Sequence, residues 1–523
     1  MISNKKWLPP FQRPDSEDLP IGYSFLVSRY QLEIVFQPVW TFVRSGNRIR
    51  EHVRDHVEYR FWPKGRHPGT RDLDHLLFAI RHEGLNLSIC RAFFAKVSHD
   101  EFEADLCKDL QDQPTSAYRR RVWFLWEAIT ERLLSLTELN RGNYVPLLDS
   151  GLYVVGPSRK VKRQRIDVNL LGSLEASPII RLTPKIRAAV EPVSLSTKIR
   201  QRVEGFLEGY ESHIIRRALS YLYTRETRAS FEIENERPSQ SREERFMALL
   251  ERSSQISRLD RKTLVDLQND TVDPRFADSG WRTSQIYVGE ALDYTHQRIH
   301  YIGPKAEDVD LLMTSFLDLT RLLVEDPDSD ALIAASTISF FFVLIHPFED
   351  GNGRLHRWLI NWVLARKGIT QQGLLIPISA AIQSRRAAYD EALESFSRWL
   401  LQRIDYELDE LGRMEIEGDT LDFYRHPDLT AMTEGLIDWL DVALREELEA
   451  ELAFLFGLDR AKQGLQRIVD MPDRQIVLFI KLCRQNGGKL AKGKRQRFAK
   501  LTDEEVAQME AVVSETFFSN LPT

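Results

Sequence analysis

The sequence predicts a mainly α-helical protein that contains one short β-hairpin. Most of the 523 residues lie in stretches where apolar side chains recur every three or four positions, as on the buried face of a helix. One stretch differs, because β-branched and aromatic residues at Ile286–Val288 are followed by a second such run at Ile299–Ile302. The composition, 43% hydrophobic and 28% charged, is that of a globular chain with a buried core.

Three domains are expected from the length, at roughly 100–200 residues each. A turn-rich connector near residues 185–198 ends an N-terminal accessory region, 1–198, whose role the sequence does not indicate. A mainly helical central domain follows at 199–412. The remaining segment, 413–523, is predicted to be a helical domain with some features of a winged helix, because a glycine turn and a basic run lie between its helices.

The predicted helices are amphipathic or bounded by recognisable caps. The last of them is preceded by Thr502 and Glu505, which have the spacing of a capping box. In chain order, the helices predicted before it are 30–43, 76–97, 121–136, 202–224, 243–253, 261–268, 308–323, 330–345, 354–366, 379–396, 433–456 and 473–484.

Charge, cysteine content and hydropathy argue against several classes of protein. A net charge of −6 and an isoelectric point near 6.1 do not suit a surface devoted to nucleic acid. The three cysteines are too few and too far apart for a disulfide framework or a metal cluster. The N-terminal residues lack the apolar core of a signal peptide, and the longest apolar run, 331–345, is too short to cross a membrane. We therefore expect a cytoplasmic protein without a membrane partner.

The strongest functional signal is the stretch HPFEDGNGRLHR, His346–Arg357, which lies between two predicted core helices. Gly351 and Gly353 allow the backbone to approach a ligand closely. The helix that starts beside them presents its first amides to an anion. Arg354 and Arg357 share one face of that helix and suit bidentate contacts with phosphate oxygens.

The other polar residues of this loop indicate phosphate chemistry assisted by a metal. An acid inside an anion site is explicable if a divalent cation lies between carboxylate and phosphate, and Asp350 is a better candidate ligand than Glu349. Asn352 can donate a hydrogen bond to an oxygen of the ligand. His346 ends an apolar helix and can serve as the general base for an incoming hydroxyl. Any one of these residues alone is more often structural, but the combination predicts phosphoryl or nucleotidyl transfer.

The stretch resembles the signature of the Fic family, H-x-F-x-[D/E]-G-N-G-R-x-x-R, at every specified position. The resemblance extends over about residues 200–400, where GWRTSQIYVG at 280–289 is similar to the family's flap. It implies a Fic-type helical core that transfers AMP from ATP to a Tyr, Thr or Ser hydroxyl of a target protein. It also implies Mg²⁺, with Mn²⁺ as an alternative, held by Asp350. His346 would then deprotonate the hydroxyl while residues 350–357 bind the phosphates of ATP.

A second motif lies well upstream of the first. The stretch SFEIEN, from Ser230 to Asn235, resembles the inhibitory motif [S/T]-x-x-x-E-[G/N] of some Fic proteins. The resemblance implies that Glu234 pairs with Arg357 and blocks the productive position of the ATP γ-phosphate. The protein is then expected to be autoinhibited and to modify itself only weakly.

The resemblance also assigns roles to residues around the motif. Tyr389 is a candidate for stacking on the adenine, with packing in the core or at the surface as an equal alternative, and His356 is expected to be structural. The two runs of the predicted hairpin are expected to hold a target segment as an added strand. These flap residues are Ile286, Tyr287, Val288, Ile299, His300 and Tyr301.

Two other interpretations stay open at this point. The same fold can transfer phosphate or UMP, or remove AMP, in which case Glu234 would position a water. The second alternative is a nucleotide-sensing DNA-binding regulator, since the basic run at 489–500 suits a nucleic-acid contact. An intact His346 argues against a site that only senses nucleotide. The sequence names neither the target protein nor the oligomeric state, so a homo-oligomer is a further alternative.

Overall fold

The computed structural model describes residues 18–54, 57–191, 193–209, 212–291, 297–370 and 373–518. Helices dominate this part of the chain, and its strands form small sheets, which confirms the predicted mainly α fold with a short hairpin. The α-helices are α1 (Tyr23–Tyr30), α2 (Asp72–His82), α3 (Leu87–Phe94), α4 (His99–Asp112), α5 (Ala117–Thr130), α6 (Pro184–Val190), α7 (Leu195–Gly209), α8 (Ser212–Ile233), α9 (Gln240–Glu251), α10 (Arg261–Thr271), α11 (Val309–Glu325), α12 (Ala331–Ile345), α13 (Asn352–Arg366), α14 (Ile378–Ser384), α15 (Arg386–Leu400), α16 (Asp422–Arg425), α17 (Thr430–Val442), α18 (Ala450–Ile468), α19 (Asp473–Arg484) and α20 (Asp503–Phe518).

The strands are β1 (Leu19–Pro20), β2 (Val39–Arg44), β3 (Arg50–Arg54), β4 (Val57–Pro63), β5 (Val145–Pro146), β6 (Arg159–Val161), β7 (Ile166–Val168), β8 (Tyr287–Ala291), β9 (Gln297–Ile302), β10 (Tyr406–Leu408) and β11 (Met414–Ile416). The N-terminal sheet has the order β1-β2-β4-β3, and a second sheet has the order β5-β7-β6. β8 with β9 and β10 with β11 form antiparallel hairpins. The predicted hairpin at 286–302 is therefore confirmed.

Contacts along the chain divide it into two units, each assembled from separated segments. The first unit contains the residues up to Lys198 together with Pro238–Ile369 and Arg385–Asp438. The second contains Ile199–Arg237, Thr370–Ser384 and the residues from Trp439 onward. The division at residue 198 coincides with a predicted boundary, whereas none of the limits falls at 412, because helices that are distant in sequence pack together in each unit.

In the first unit, the N-terminal region supports the helix that leads into the HPFEDGNGRLHR motif. Asp330 caps α12 by accepting hydrogen bonds from two of its first amides. Ser196 donates to Asp330 Oδ1 at 2.8 Å and accepts from the Leu332 amide at 3.1 Å. Arg181 pairs with Asp428 at 2.9 Å. The region assigned no role from the sequence thus contributes directly to the start of α12.

In the second unit, α8 packs against α14 and α18, and α18–α20 enclose an apolar core around Phe479 and Met509. The predicted capping box of α20 is confirmed. The Thr502 amide donates to Glu505 at 2.7 Å, and the Glu505 amide donates to Thr502 at 3.2 Å. Between residues 439 and 518 the elements are helical, so the strands of a winged helix are not found there.

Several predicted helices have different limits, and one was wrong. Residues 30–43 were expected to be helical, but α1 ends at Tyr30 and β2 pairs in parallel with β4. This pairing is a long-range contact, which local apolar spacing does not reveal. The predicted helix 76–97 is divided into α2 and α3 at Gly84, which has φ +92°, and at Asn86, which caps α3. The predicted helix at 379–396 is likewise two helices, α14 and α15.

No helix in the described ranges combines the length and the apolar character needed to cross a membrane. α12 is strongly apolar, and almost all of its side chains are buried. It is a core helix of the first unit, as its length of 15 residues predicted.

Candidate active site

His346 lies at the exact point where α12 ends. Its backbone has φ 52° and ψ 62°, the left-handed conformation, and its amide donates to the Phe342 carbonyl at 3.0 Å. A left-handed residue with a side chain costs about 1–2 kcal/mol, so the surrounding contacts must impose it. The His346 Nδ1 lies 3.2 Å from the Val343 carbonyl. In the tautomer in which Nδ1 donates to that carbonyl, Nε2 is the nitrogen that can accept a proton.

Asn352 closes the loop that follows. Its Oδ1 accepts a hydrogen bond from the Phe348 amide at 3.0 Å, and its Nδ2 donates to the Phe348 carbonyl at 2.8 Å. Both residues are buried. The sequence predicted that Asn352 donates to a ligand oxygen. The structure shows that its amide fixes the loop, so its observed contribution is to the shape of the anion site.

Gly351 allows the next helix to begin. It is the N-cap of α13 with φ 88° and ψ −2°, a conformation that favours glycine. The Leu355 amide donates to the Gly351 carbonyl at 2.9 Å and closes the first turn. Gly353 lies inside that turn. The amides before Leu355 belong to the group that an α-helix leaves without an intrahelical acceptor, and they are suited to bind an anion.

The charged residues of the motif are arranged around this helix start. Arg354 and Arg357 are each only 1% exposed, on the same side of α13. Asp350 Oδ1 accepts hydrogen bonds from the Gly351 amide at 2.5 Å and from Arg354 Nη2 at 2.6 Å. The Asp350 side chain remains 42% exposed. The motif therefore combines two buried guanidinium groups with one carboxylate that solvent reaches.

Glu349 makes contacts that the sequence did not predict. Its carboxylate accepts a hydrogen bond from Ser284 Oγ, which lies 2.7 Å and 2.9 Å from the two oxygens. Its amide donates to Asp278 Oδ2 at 3.2 Å. Burial raises the pKa of the Asp278 carboxyl. The sequence favoured Asp350 over Glu349 as a metal ligand. In the structure, Glu349 links the motif loop to the segment before β8.

Arg282 was also missed, although it lies in the quoted stretch GWRTSQIYVG. It is 3% exposed, and its Nε donates to the His346 carbonyl at 2.8 Å. Its amide donates to the Pro347 carbonyl at 2.8 Å. Burial lowers the pKa of this guanidinium to about 10. The available signal was the position of Arg282 directly after Trp281, beside the predicted hairpin. The sequence did not reveal its partners, because they are distant along the chain.

The β8–β9 hairpin lies beside the motif, and its six predicted residues differ in exposure. Tyr301 is buried, its hydroxyl donates to the Leu344 carbonyl, and its ring centroid is 6.3 Å from that of His346. It therefore anchors the hairpin to α12. Val288 is 44% exposed, and His300 lies 3.5 Å from Glu290. The partly exposed residues are Ile286, Tyr287, Ile299 and His300.

Two ring residues near the motif are buried. His356 is fully buried, and its Nδ1 lies 2.8 Å from the Ser339 carbonyl. Burial, reinforced by the Arg357 charge, lowers the pKa of His356 to about 3. Tyr389 is 4% exposed, with its ring centroid 6.1 Å from that of His356. The expected structural role of His356 agrees with these contacts, whereas adenine stacking by Tyr389 stays a prediction.

The predicted inhibitory motif forms the C-terminal end of α8, in the second unit. Ser230 is buried in its last turn, and the Glu234 amide donates to the Phe231 carbonyl at 3.0 Å. Asn235 has φ 57°, a left-handed conformation that ends the helix. This explains why glycine or asparagine suits the last position of the motif. The pairing of Glu234 with Arg357 stays a prediction.

The comparison with protein families agrees with the motif. The Fic/DOC family model matches residues 258–364, a range that includes β8, β9, α12 and most of α13. The chain contains a Fic/DOC family domain. The predicted family membership of this segment is therefore confirmed.

Three curated relatives match part of the chain. Protein adenylyltransferase fic-1 of Caenorhabditis briggsae is 28% identical over 168 residues, 31% of each chain. Its counterpart in Caenorhabditis elegans is 28% identical over 144 residues, 27% of this chain and 26% of the relative. Protein adenylyltransferase Fic of Nematostella vectensis is 32% identical over 111 residues, 21% of this chain and 22% of the relative. The chain thus matches less than a third of the length of each.

Two solved structures resemble the protein weakly. One is a Fic family protein from Desulfovibrio desulfuricans G20, 18% identical, with a TM-score of 0.34 over 62% of this chain and 87% of that one. The other is a Fic domain-containing signalling protein from Bacteroides thetaiotaomicron VPI-5482. It is 16% identical, with a TM-score of 0.33 over 49% of this chain and 97% of that one.

Proposed function

We propose that the protein is an adenylyltransferase that moves AMP from ATP to a hydroxyl side chain of a target protein. The observation that carries the proposal is the meeting of α12 and α13. The histidine that ends α12 lies in the same loop as the glycine-capped start of α13, which carries two buried arginines. The names of the curated relatives support the same reaction.

In the proposed reaction, the target hydroxyl attacks the α-phosphorus of ATP. His346 accepts the hydroxyl proton, the new oxygen–phosphorus bond forms, and the bond to the bridging oxygen breaks to release pyrophosphate. The first amides of α13 bind phosphate oxygens, and Arg354 and Arg357 bind the β- and γ-phosphates. Because the two guanidinium groups are buried, their attraction to phosphate is weakly screened by solvent. The site is therefore suited to hold a triphosphate in one orientation.

The residues of the site fit a magnesium ion that arrives with the nucleotide. Asp350 offers a carboxylate that is 42% exposed and lies beside the anion site. Among the described residues, no group of three or more His, Cys, Asp and Glu side chains is arranged to hold a metal by itself. Mg²⁺ commonly takes one or two carboxylates and completes its coordination with phosphates and waters. When bound, Mg²⁺ would neutralise part of the charge on the phosphates, and Mn²⁺ is an alternative.

The proposal includes autoinhibition by Glu234. Glu234 directly follows Ile233, the last residue of α8, and the left-handed Asn235 comes next, so Glu234 lies in the turn that closes the helix. If the Glu234 carboxylate pairs with Arg357, that guanidinium group is no longer available to bind the γ-phosphate. The Glu234→Gly variant should therefore transfer AMP faster than the wild type. The target protein and the protein itself are both expected acceptors.

Intact mass spectrometry after incubation with Mg²⁺ and ATP tests the proposal. The proteins are the wild type, Glu234→Gly, and Glu234→Gly combined with His346→Ala. We expect a small AMP adduct on the wild type, a larger one on Glu234→Gly and none on the double variant. An adduct of phosphate mass would keep the fold assignment and overturn adenylyl transfer. An equal AMP adduct on the double variant would exclude His346 as the base.

A further inference from the structure

Arg282 connects three segments that are far apart in the sequence. Its Nη1 donates to the Ser284 carbonyl at 2.7 Å, just before β8, and its Nη2 donates to the Pro304 carbonyl, just after β9. Its Nε donates to the His346 carbonyl at 2.8 Å. One guanidinium group therefore joins both ends of the β8–β9 hairpin to the residue that ends α12.

The partners of this buried arginine are backbone groups. Its side-chain hydrogen bonds go to backbone carbonyls, and the backbone amide of Arg282 adds a contact with the Pro347 carbonyl at 2.8 Å. A guanidinium has donors in a rigid, planar fork, so three carbonyls bound to it are held in a fixed mutual geometry. One of these is the carbonyl of His346, the residue whose left-handed backbone must be imposed by its surroundings.

Two further contacts connect the same parts of the molecule. Ser284 Oγ donates to the Glu349 carboxylate, inside the motif. On the other strand, the buried Tyr301 hydroxyl donates to the Leu344 carbonyl in the last turn of α12. The segment just before β8 is thus attached to the motif loop, and β9 is attached to α12.

We propose that Arg282 is a positioning residue that holds the β8–β9 hairpin and His346 as one rigid body. A target segment that aligns on the hairpin would then reach the His346 side chain at a fixed distance. This role rests on the proposed transfer reaction, whereas the mechanical coupling between hairpin and histidine does not. Ser284 and Glu349 form a second, weaker link of the same kind, because both are more exposed than Arg282.

The test compares Arg282→Met, Arg282→Lys and Ser284→Ala, each in the Glu234→Gly background. Methionine keeps an unbranched apolar stem like that of arginine without the donors, and lysine restores part of the donor set. Arg321→Met is the matched control, because Arg321 is an exposed arginine of α11 that pairs only loosely with Asp318 at 3.4 Å. Ser284→Ala removes an exposed hydroxyl, so it tests the idea even if Arg282→Met fails to fold.

Hydrogen exchange measured by mass spectrometry tests the coupling between the β8–β9 hairpin and His346, and it does not depend on AMP transfer. In Arg282→Met we expect faster exchange in peptides from both β9 and residues 346–357, with an intermediate effect in Arg282→Lys and none in Arg321→Met. Ser284→Ala should accelerate both regions slightly. Faster exchange in β9 alone, with 346–357 unchanged, would overturn the coupling.

Kinetics then separate positioning from binding. In the Arg282→Met variant, self-adenylylation should fall about 100-fold, as expected for a catalytic group displaced by about 1 Å. The dissociation constant for ATP with Mg²⁺, measured by calorimetry, should stay within twofold, since the amides and arginines of α13 are unaltered. A rate equal to that of Arg321→Met would refute the positioning role. If the Glu234→Gly parent shows no transfer at all, the proposed reaction fails, and the exchange experiment still decides the coupling.

Discussion

The buried His356 should make the protein sensitive to acid. Burial, together with the nearby Arg357 charge, lowers its pKa in the folded protein to about 3. An unfolded histidine has a pKa of about 6.5. The folded state therefore binds fewer protons than the unfolded state between these values. The contribution to stability is fully present above pH 6.5 and is lost progressively as the pH falls toward 3.

The size of the effect follows from the two pKa values. At pH 5 the unfolded histidine is mostly protonated, whereas the folded one is almost entirely neutral. The difference of about 1.5 pH units below the unfolded pKa corresponds to about 2 kcal/mol, at 1.36 kcal/mol per unit. Unfolding by guanidinium chloride at pH 8 and at pH 5 measures the loss. The partly buried His426 and the buried His75 add to it, since desolvation lowers their pKa values to about 3 and about 4.

The His356→Asn variant isolates the contribution of one residue. An asparagine Nδ2 lies close to the position of the histidine Nδ1, so the hydrogen bond to the Ser339 carbonyl can be kept. The stability difference between pH 8 and pH 5 should then be about 2 kcal/mol smaller than in the wild type. The control is His52→Asn, at an exposed position of β3, which should leave the difference unchanged. If the stability difference between pH 8 and pH 5 is as large in His356→Asn as in the wild type, the conclusion that His356 stays neutral in the folded protein is refuted.

Three other substitutions test the motif and the helix ends. Gly351→Ala should lower the free energy of unfolding by about 1–2 kcal/mol, since alanine rarely adopts φ 88° and its Cβ would lie 3.1 Å from Val272; an unchanged denaturation midpoint would contradict this. Asn352→Ala should lower the free energy of unfolding by on the order of 3 kcal/mol, because the buried amide and carbonyl of Phe348 lose their partner. The affinity for ATP, measured by calorimetry, should fall as well. Thr502→Ala should cost about 1 kcal/mol in thermal or chemical unfolding of the second unit, whereas equal stability would show that the cap contributes nothing.

Local signals predicted the motif and its helices well. Helix α13 was expected from Arg354 and begins at Asn352, and α12 was expected to end at His346, where it does end. The apolar run, the proline after His346 and the glycines are all features of the immediate sequence. The β8–β9 hairpin was found for the same reason, since its β-branched and aromatic residues occur in two short runs.

One error came from a local signal that was passed over, and others arose where distant segments decide the structure. Residues 39–44, VWTFVR, are rich in β-branched and aromatic residues, which favours a strand, whereas the pairing with β4 and β1 is a long-range contact. Donation by Asn352 to a ligand oxygen stays a prediction, and its hydrogen bonds with the backbone of Phe348 carried no sequence signal. The limit of the two units at residue 198 coincides with a predicted boundary, whereas the inclusion of 370–384 in the second unit depends on tertiary contacts with α8, such as the hydrogen bonds that Ser379 donates to Glu226.

The motif also shows that positions which the signature leaves open can contribute to the structure. Glu349 and His356 stand at positions that the signature leaves open, yet Glu349 binds Ser284, and His356 lies against the Ser339 carbonyl of α12. Among the specified residues, Asp350 and Asn352 make contacts within the loop and α13, whereas the His346 carbonyl also accepts a hydrogen bond from Arg282. Glu349 likewise joins the loop to the segment before β8. We therefore expect the alignment of a target segment with His346 to depend on Glu349, Ser284 and Arg282 as well as on the specified residues.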